Sequence, residues 1–247
     1  MHPRLPRIPS AACVALVLAL AGAPAAGAQS APDLSTAVPL SNETTITRWA
    51  GPAFLARITA LPTPTSRYIA RTRYYTEDDF PEVYVVLTSW RDPDGELWYR
   101  IRVPGRPNGR IGWVRAEAME YLRVVRTRLV INRRLLSASL YRSGRRIWFS
   151  RIGVGKFSTP TPPGRFWIRE RIKVNPETGL YGPWAFGTSA YAPRLTDWPG
   201  GGVIGIHGTN QPQLIPGRPS HGCIRVPNFA IRRLAALLPN GTPVLII

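Results

Sequence analysis

Two of the chain's three histidines and one of its two cysteines fall within residues 207–223. The stretch opens with Ile204-Gly205-Ile206-His207-Gly208-Thr209-Asn210 and closes with Pro219-Ser220-His221-Gly222-Cys223-Ile224-Arg225. A cysteine attacks as its thiolate, and a free thiol has a pKa near ~8.5, so it needs a neighbour to take its proton. An imidazole does this and can later return the proton to a leaving amine. Glycines let backbone N–H groups approach a reacting carbonyl, which makes Gly208, Gly222 and the amide of Cys223 candidates for an oxyanion hole. These residue types support acyl transfer through a thioester. Zinc is the rival use of two histidines and a cysteine. His221 and Cys223 are only two positions apart, however, and no carboxylate or fourth ligand lies nearby, so neither metal nor cofactor is expected. The remaining alternative is that all three residues are simply buried.

The thiol's compartment matters to this reading. Arg4 and Arg7 precede the apolar run Ala11 to Ala21, and Ala26-Gly27-Ala28 resembles a small-residue cleavage site. Residues 1–28 therefore read as an export signal, too short in its apolar part for a stable anchor, although an uncleaved signal would tether the chain to the membrane. Cleavage removes Cys13 and leaves Cys223 alone outside the cytoplasm, at the cell wall or in the periplasm. No intramolecular disulfide is then available, and a lone thiol there is either used or buried.

Charge divides the remaining chain. Residues 29–122 carry 11 Arg against 11 acidic residues, whereas residues 123–247 carry 17 Arg and two Lys against Glu170, Glu177 and Asp197, a net of +16. The asymmetry places a boundary near Leu122 and points to an anionic partner for the second half. Nucleic acid is excluded by the expected compartment. Anionic cell-wall polymers, or the carboxylates of wall peptides, fit it. A general bias toward arginine is the competing explanation, since 30 of the 32 basic residues are Arg.

The elements that must position the site are mostly strands. Residues 29–45 read as a linker. Residues 46–121 read as a small β domain. Glu82 to Thr88 is rich in strand formers, Asp92-Pro93-Asp94-Gly95 is a turn, and Leu97, Tyr99, Ile101 and Val103 alternate toward Ile111-Gly112-Trp113-Val114. This pattern resembles a bacterial SH3-like barrel, with Trp98 and Trp113 as core residues. Residues 123–247 again favour strands at Leu129 to Asn132, Leu135 to Tyr141, Ile147 to Val154 and Phe166 to Ile168. One helix follows Pro227, with Ile231, Leu234 and Leu238 on one face, and Val244 to Ile247 forms a buried last strand. Residues 175–202, rich in Gly, Pro and aromatics, read as a long surface loop, either a lid or a plain connection.

Residues 204–228 resemble the signature of the L,D-transpeptidase catalytic domain, H-G followed by S-H-G-C-[apolar]-R. The match falls at His207, Gly208, Ser220, His221, Gly222, Cys223 and Arg225, with Asn228 at the usual distance. Thr161-Pro162-Pro163-Gly164-Arg165-Phe166 is similar to the family's T-P-x-G-x-F element, and the likeness extends over about residues 125–247. The resemblance implies a mainly β, sandwich-type (YkuD-like) catalytic domain with mixed, curved sheets. In it Cys223 would attack the carbonyl after the L-centre of diaminopimelate in a peptidoglycan tetrapeptide stem, releasing D-alanine. It implies His207 as general base, held by the Gly208 carbonyl, and His221 as a supporting group. Gly222 and Cys223 would donate amides to the oxyanion, Ser220 would line the substrate site, and Arg225 would brace the loop or meet a substrate carboxylate. An amine acceptor would give a crosslink between two stems, and water would give a trimmed tripeptide, the L,D-carboxypeptidase alternative. A vestigial, wall-binding protein is the reading outside enzymology.

Overall fold

The computed structural model describes residues 31–195 and 199–247, so the expected export signal lies outside the described residues. Strands Tyr84–Arg91, Leu97–Arg102 and Ile111–Arg115 pair antiparallel in succession. The turn at Gly95 adopts φ +88°, a conformation only glycine takes without strain. Thr47–Ala50 and Arg123–Val125 extend this sheet on one side, and Arg57–Thr59 and Tyr68–Arg71 on the other. Tyr84, Val86, Ile101 and Val114 bury one face, while Trp90, Trp98 and Trp113 belong to a second buried cluster. Two expectations need correction. Residues 29–45 are not simply a linker: Val38–Pro39 pairs with Tyr84–Arg91, and the Asp33 carbonyl accepts a 2.9 Å bond from Trp90 Nε1. The first sheet also continues past Leu122, because Arg123–Val125 pairs with Thr47–Ala50.

The second half is mainly β, with Asn228–Ala235 the one α-helix among the described residues. One sheet runs in the order Arg145–Arg151, Ser137–Arg142, Thr127–Asn132, Pro243–Ile246, Gly164–Trp167. The other runs Ile172–Lys173, Trp184–Tyr191, Val203–His207, Ile224–Arg225, Gly153–Gly155, Gly217–Ser220. Leu129, Ile131, Leu140, Phe186, Ile204, Ile206 and Val244 fill one core, which the helix covers with Ala230, Ile231 and Leu234. Pro227 sits at the helix N-cap, where a missing N–H costs nothing. Residues 175–202 are not one loop. Trp184–Tyr191 is a strand, almost wholly buried from Phe186 onward. Its Ala, Gly, Thr and Ser residues hid it from a pattern search for large apolar side chains.

The two halves are joined through a buried guanidinium. Arg169 is fully buried and holds Glu82 with two bonds of 2.6 and 2.7 Å, and Glu77 with one of 2.9 Å. Glu77 also pairs with Arg73 and accepts from the Tyr191 hydroxyl. Burial opposes the charge on Glu77, but Arg169, the Tyr191 hydroxyl and Arg73 prevail and hold its carboxyl at about 2. Trp167 packs on Val83 and Val85, and its Nε1 donates to the Val83 carbonyl at 2.7 Å. Residues 32–247 accordingly form a single compact unit. Because Glu77 has a lowered pKa, its stabilisation is complete above pH 4.5 and is lost as pH falls toward 2. Replacing Arg169 with Ala strips the buried Glu82 of two charged hydrogen bonds, leaving it Arg73 and the Val83 N–H, and is expected to cost about 3 kcal/mol. Urea unfolding followed by tryptophan fluorescence checks this, with both halves expected to unfold in one transition.

Candidate active site

The site is built where Val203–His207 runs parallel to Ile224–Arg225, with Ile206 opposite Ile224 and His207 opposite Arg225. This register brings Cys223, just before its strand, beside Gly205, whose N–H points to Sγ at 3.4 Å. A Cβ placed on Gly205 would lie 3.8 Å from Cys223 Sγ and 3.9 Å from His207 Cδ2. Thiol and imidazole therefore flank the same bare patch of strand. His207 Nδ1 lies 2.6 Å from the Gly208 carbonyl oxygen, which can only accept. The proton must then reside on Nδ1, leaving Nε2 as the base.

The turn that presents Cys223 is fastened at several points. Ser220 Oγ accepts from the Gly222 N–H at 3.1 Å and donates to the Cys223 carbonyl at 2.6 Å. Thr161 Oγ1 donates to the Gly222 carbonyl at 2.6 Å and accepts from the Gly155 N–H at 3.0 Å. Gly222 adopts φ +133°, and a Cβ there would meet Ile204 at 2.8 Å. Ser220, 2% exposed and bonded on both sides, holds the turn, and it also borders the cavity beside the thiol. These bonds correct two expectations. The Gly222 amide is taken by Ser220, and the Gly208 amide donates to the Trp184 carbonyl at 3.0 Å. Of the three expected oxyanion donors, only the Cys223 amide makes no hydrogen bond among the described residues.

Arg225 gives Nη1 to Gln211 at 2.9 Å, while its Nε is buried with no partner. A small cavity of about 60 Å³ opens beside the thiol, lined by His207, His221, Cys223, Arg225 and Tyr181 among others. His221 is exposed at this cavity. No group of three or more His, Cys, Asp or Glu residues among those described is arranged to hold a metal ion.

Tyr181 was not singled out by sequence reasoning, although its loop was. Its ring stands edge-on to His207, with centroids 4.8 Å apart and planes at 71°. The loop reaches there because Gly182 packs directly on Gly208: a Cβ on Gly182 would lie 2.7 Å from the Gly208 Cα. Asn228 Oδ1 completes the contact by accepting the Thr209 N–H at 2.8 Å.

Burial governs the charge state. It lowers the His207 pKa to about 4, with Arg225 adding to the effect and the Gly208 carbonyl opposing it. It pushes the Cys223 thiol up, against the smaller downward pulls of the Gly205 N–H and Arg225. The resting pair is thus neutral thiol and neutral imidazole at pH 7. Because the thiol's pKa is raised, its alkylation by iodoacetamide is expected to be slow at pH 7 and to climb only above the ordinary thiol range. Peptide mass mapping of Cys223 measures this, and a plateau already reached at pH 6 would show an ion pair instead.

A mainly β domain with a half-buried cysteine beside a buried histidine, on neighbouring central strands of a mixed sheet, is the class this geometry defines. Residues 126–246 match the YkuD family model, described as an L,D-transpeptidase catalytic domain. Proteins named L,D-transpeptidase YkuD share 42% identity over 95 residues in Bacillus subtilis and 41% over 105 residues in Bacillus licheniformis. These alignments cover 38% and 42% of this chain and 50% and 56% of the relatives, so the chain spans about half the length of the proteins it matches. Among solved structures, the catalytic domain of an Enterococcus faecium L,D-transpeptidase is 23% identical. That likeness covers 49% of this chain and 96% of the other, with a TM-score of 0.36.

Proposed function

We propose that the protein is an exported L,D-transpeptidase acting on peptidoglycan stem peptides through a thioester on Cys223. The observation that carries this reading is the thiol and the tautomer-fixed imidazole flanking Gly205 at a cavity bordered by Arg225. His207 Nε2 takes the thiol proton as Sγ attacks the carbonyl on the L-centre of the stem's third residue. The Cys223 amide donates to the oxyanion, and His207 returns the proton to the departing D-alanine amine. The unpartnered Nε of Arg225 suits a carboxylate of the donor. An SH3-like reading of the first sheet, and a basic second half that concentrates carboxylate-rich stems, complete the picture.

The match to the YkuD catalytic domain supports this assignment, and the neutral resting pair accords with it: charge develops only once a substrate fills the site. Incubating the protein with a disaccharide-tetrapeptide is expected to release D-alanine and yield crosslinked dimers by mass spectrometry. The Cys223→Ala protein should yield neither. Tripeptide without dimers would assign a carboxypeptidase, and an untouched donor would remove the proposal.

A further inference from the structure

Three large apolar side chains are exposed at one end of the second half. Leu135, in the hairpin between Thr127–Asn132 and Ser137–Arg142, is 59% exposed. Phe149, on the edge strand Arg145–Arg151, is 51% exposed. Phe157, on the loop after Gly153–Gly155, is 82% exposed, the most of any large apolar side chain among the described residues.

Arginines join them into one surface. The Arg218 guanidinium lies over the Phe157 ring, 4.4 Å from its centroid, and its Nη2 donates to the Arg133 carbonyl at 3.1 Å. Arg133 and Arg134 lead directly into Leu135, whose carbonyl accepts Arg151 Nη1 at 2.9 Å. Phe149 precedes Arg151 by two positions, so both stand on the same face of the edge strand. Arg146 lies over the Phe149 ring at 5.5 Å.

The charge on this surface is of one sign. Arg134, Arg146, Arg151, Lys156 and Arg218 make no ion pair among the described residues. Of the second half's three acidic residues, Glu170 is buried, Glu177 is paired with Arg232, and Asp197 lies outside the described residues. A general excess of arginine would account for the cations but not for the apolar side chains set among them. A soluble phosphate polymer or a carboxylate-rich peptide would meet the cations and leave Leu135, Phe149 and Phe157 in water. A bilayer interface meets both, since apolar tips enter the acyl boundary while basic side chains reach the headgroup phosphates.

We propose that this end of the second half docks on an anionic phospholipid bilayer, with Phe157 and Leu135 entering the interface and Phe149 beside them. The surface is held in shape beforehand, so little ordering opposes docking. It is also fastened to the nucleophile's turn. The Lys156 N–H donates to the Ser220 carbonyl at 2.9 Å, and the Gly155 N–H bonds Thr161 Oγ1, which holds the Gly222 carbonyl. Docking therefore fixes the position of Cys223 relative to the bilayer. It does not depend on the acyl-transfer reading above.

The test uses residues 32–247, a single compact unit, so that the apolar run Ala11 to Ala21 adds no affinity of its own. At low salt the protein is expected to float with vesicles of equal parts phosphatidylcholine and phosphatidylglycerol, and not with pure phosphatidylcholine. Phe157→Ser combined with Leu135→Ser leaves the charge unchanged and should lower the partition coefficient about tenfold. Arg134→Gln combined with Lys156→Gln, both exposed, should lower it about tenfold and flatten its dependence on salt. A polarity-sensitive fluorophore on Ser158→Cys, in the Cys223→Ala background, should shift to the blue on binding and be quenched by nitroxide-bearing lipid. Equal flotation with neutral and anionic vesicles, wild-type partition of the serine variant, or a fluorophore that stays in water overturns the proposal. Binding to soluble polyphosphate in place of vesicles would also overturn it and assign the surface to an anionic polymer. No readout requires turnover, so an inactive thiol would refute the transpeptidase while leaving the docking result intact.

Discussion

A guanidinium buried at full depth is tolerated only when its donors meet acceptors, and Arg169 meets two carboxylates contributed by the other half of the chain. That single requirement organises much of the molecule. It fixes the edge of the first sheet against the residues after Gly164–Trp167, and it pins the loop that carries Glu77 and Asp78. The next residue, Glu170, is buried as well and lines a cavity that Asp78 of the same loop also borders. A module that sequence alone would treat as a spacer is thereby part of the wall around the nucleophile.

The active site depends as much on missing side chains as on present ones. Gly205 leaves the thiol and imidazole in each other's view, Gly187 leaves space for a carboxylate, and Gly182 and Gly208 let two backbones touch. Close approach buries the imidazole and much of the thiol, and that burial favours the uncharged form of both. A neutral thiol is less exposed to oxidation than a standing thiolate.

Much of this was legible beforehand. Cys223, His207 and the late helix were marked by residue type and spacing, and the meander around Trp98 and Trp113 by alternation. What escaped was of two kinds. Trp184–Tyr191 buries Gly187, Thr188, Ser189 and Ala190 in succession between its aromatic ends, so small and polar residues stand where a pattern looks for large apolar ones and periodicity was silent. The roles of Ser220, Gly222 and Gly208 depended on where each hydrogen bond goes, and spacing cannot reveal that an amide is already engaged. Glu170 was counted only as a charge, since nothing in one dimension shows that a carboxylate is buried and unpartnered.

The parallel pairing of Val203–His207 with Ile224–Arg225 has a further implication. Parallel neighbours cannot be joined by a tight turn, so residues 208–223 form an excursion that crosses to the far edge of the sheet, adds Gly217–Ser220 there and returns. The base departs at its start and the nucleophile arrives at its end, fixed both by the ladder and by Ser220, which fastens the turn before Cys223. Between Gln211, which holds Arg225, and Gly217–Ser220, which rejoins the sheet, only the short exposed turn Pro212–Leu214 can change composition without touching the atoms that hold the site. Evolution can therefore reshape the surroundings of such a site while leaving its chemistry untouched.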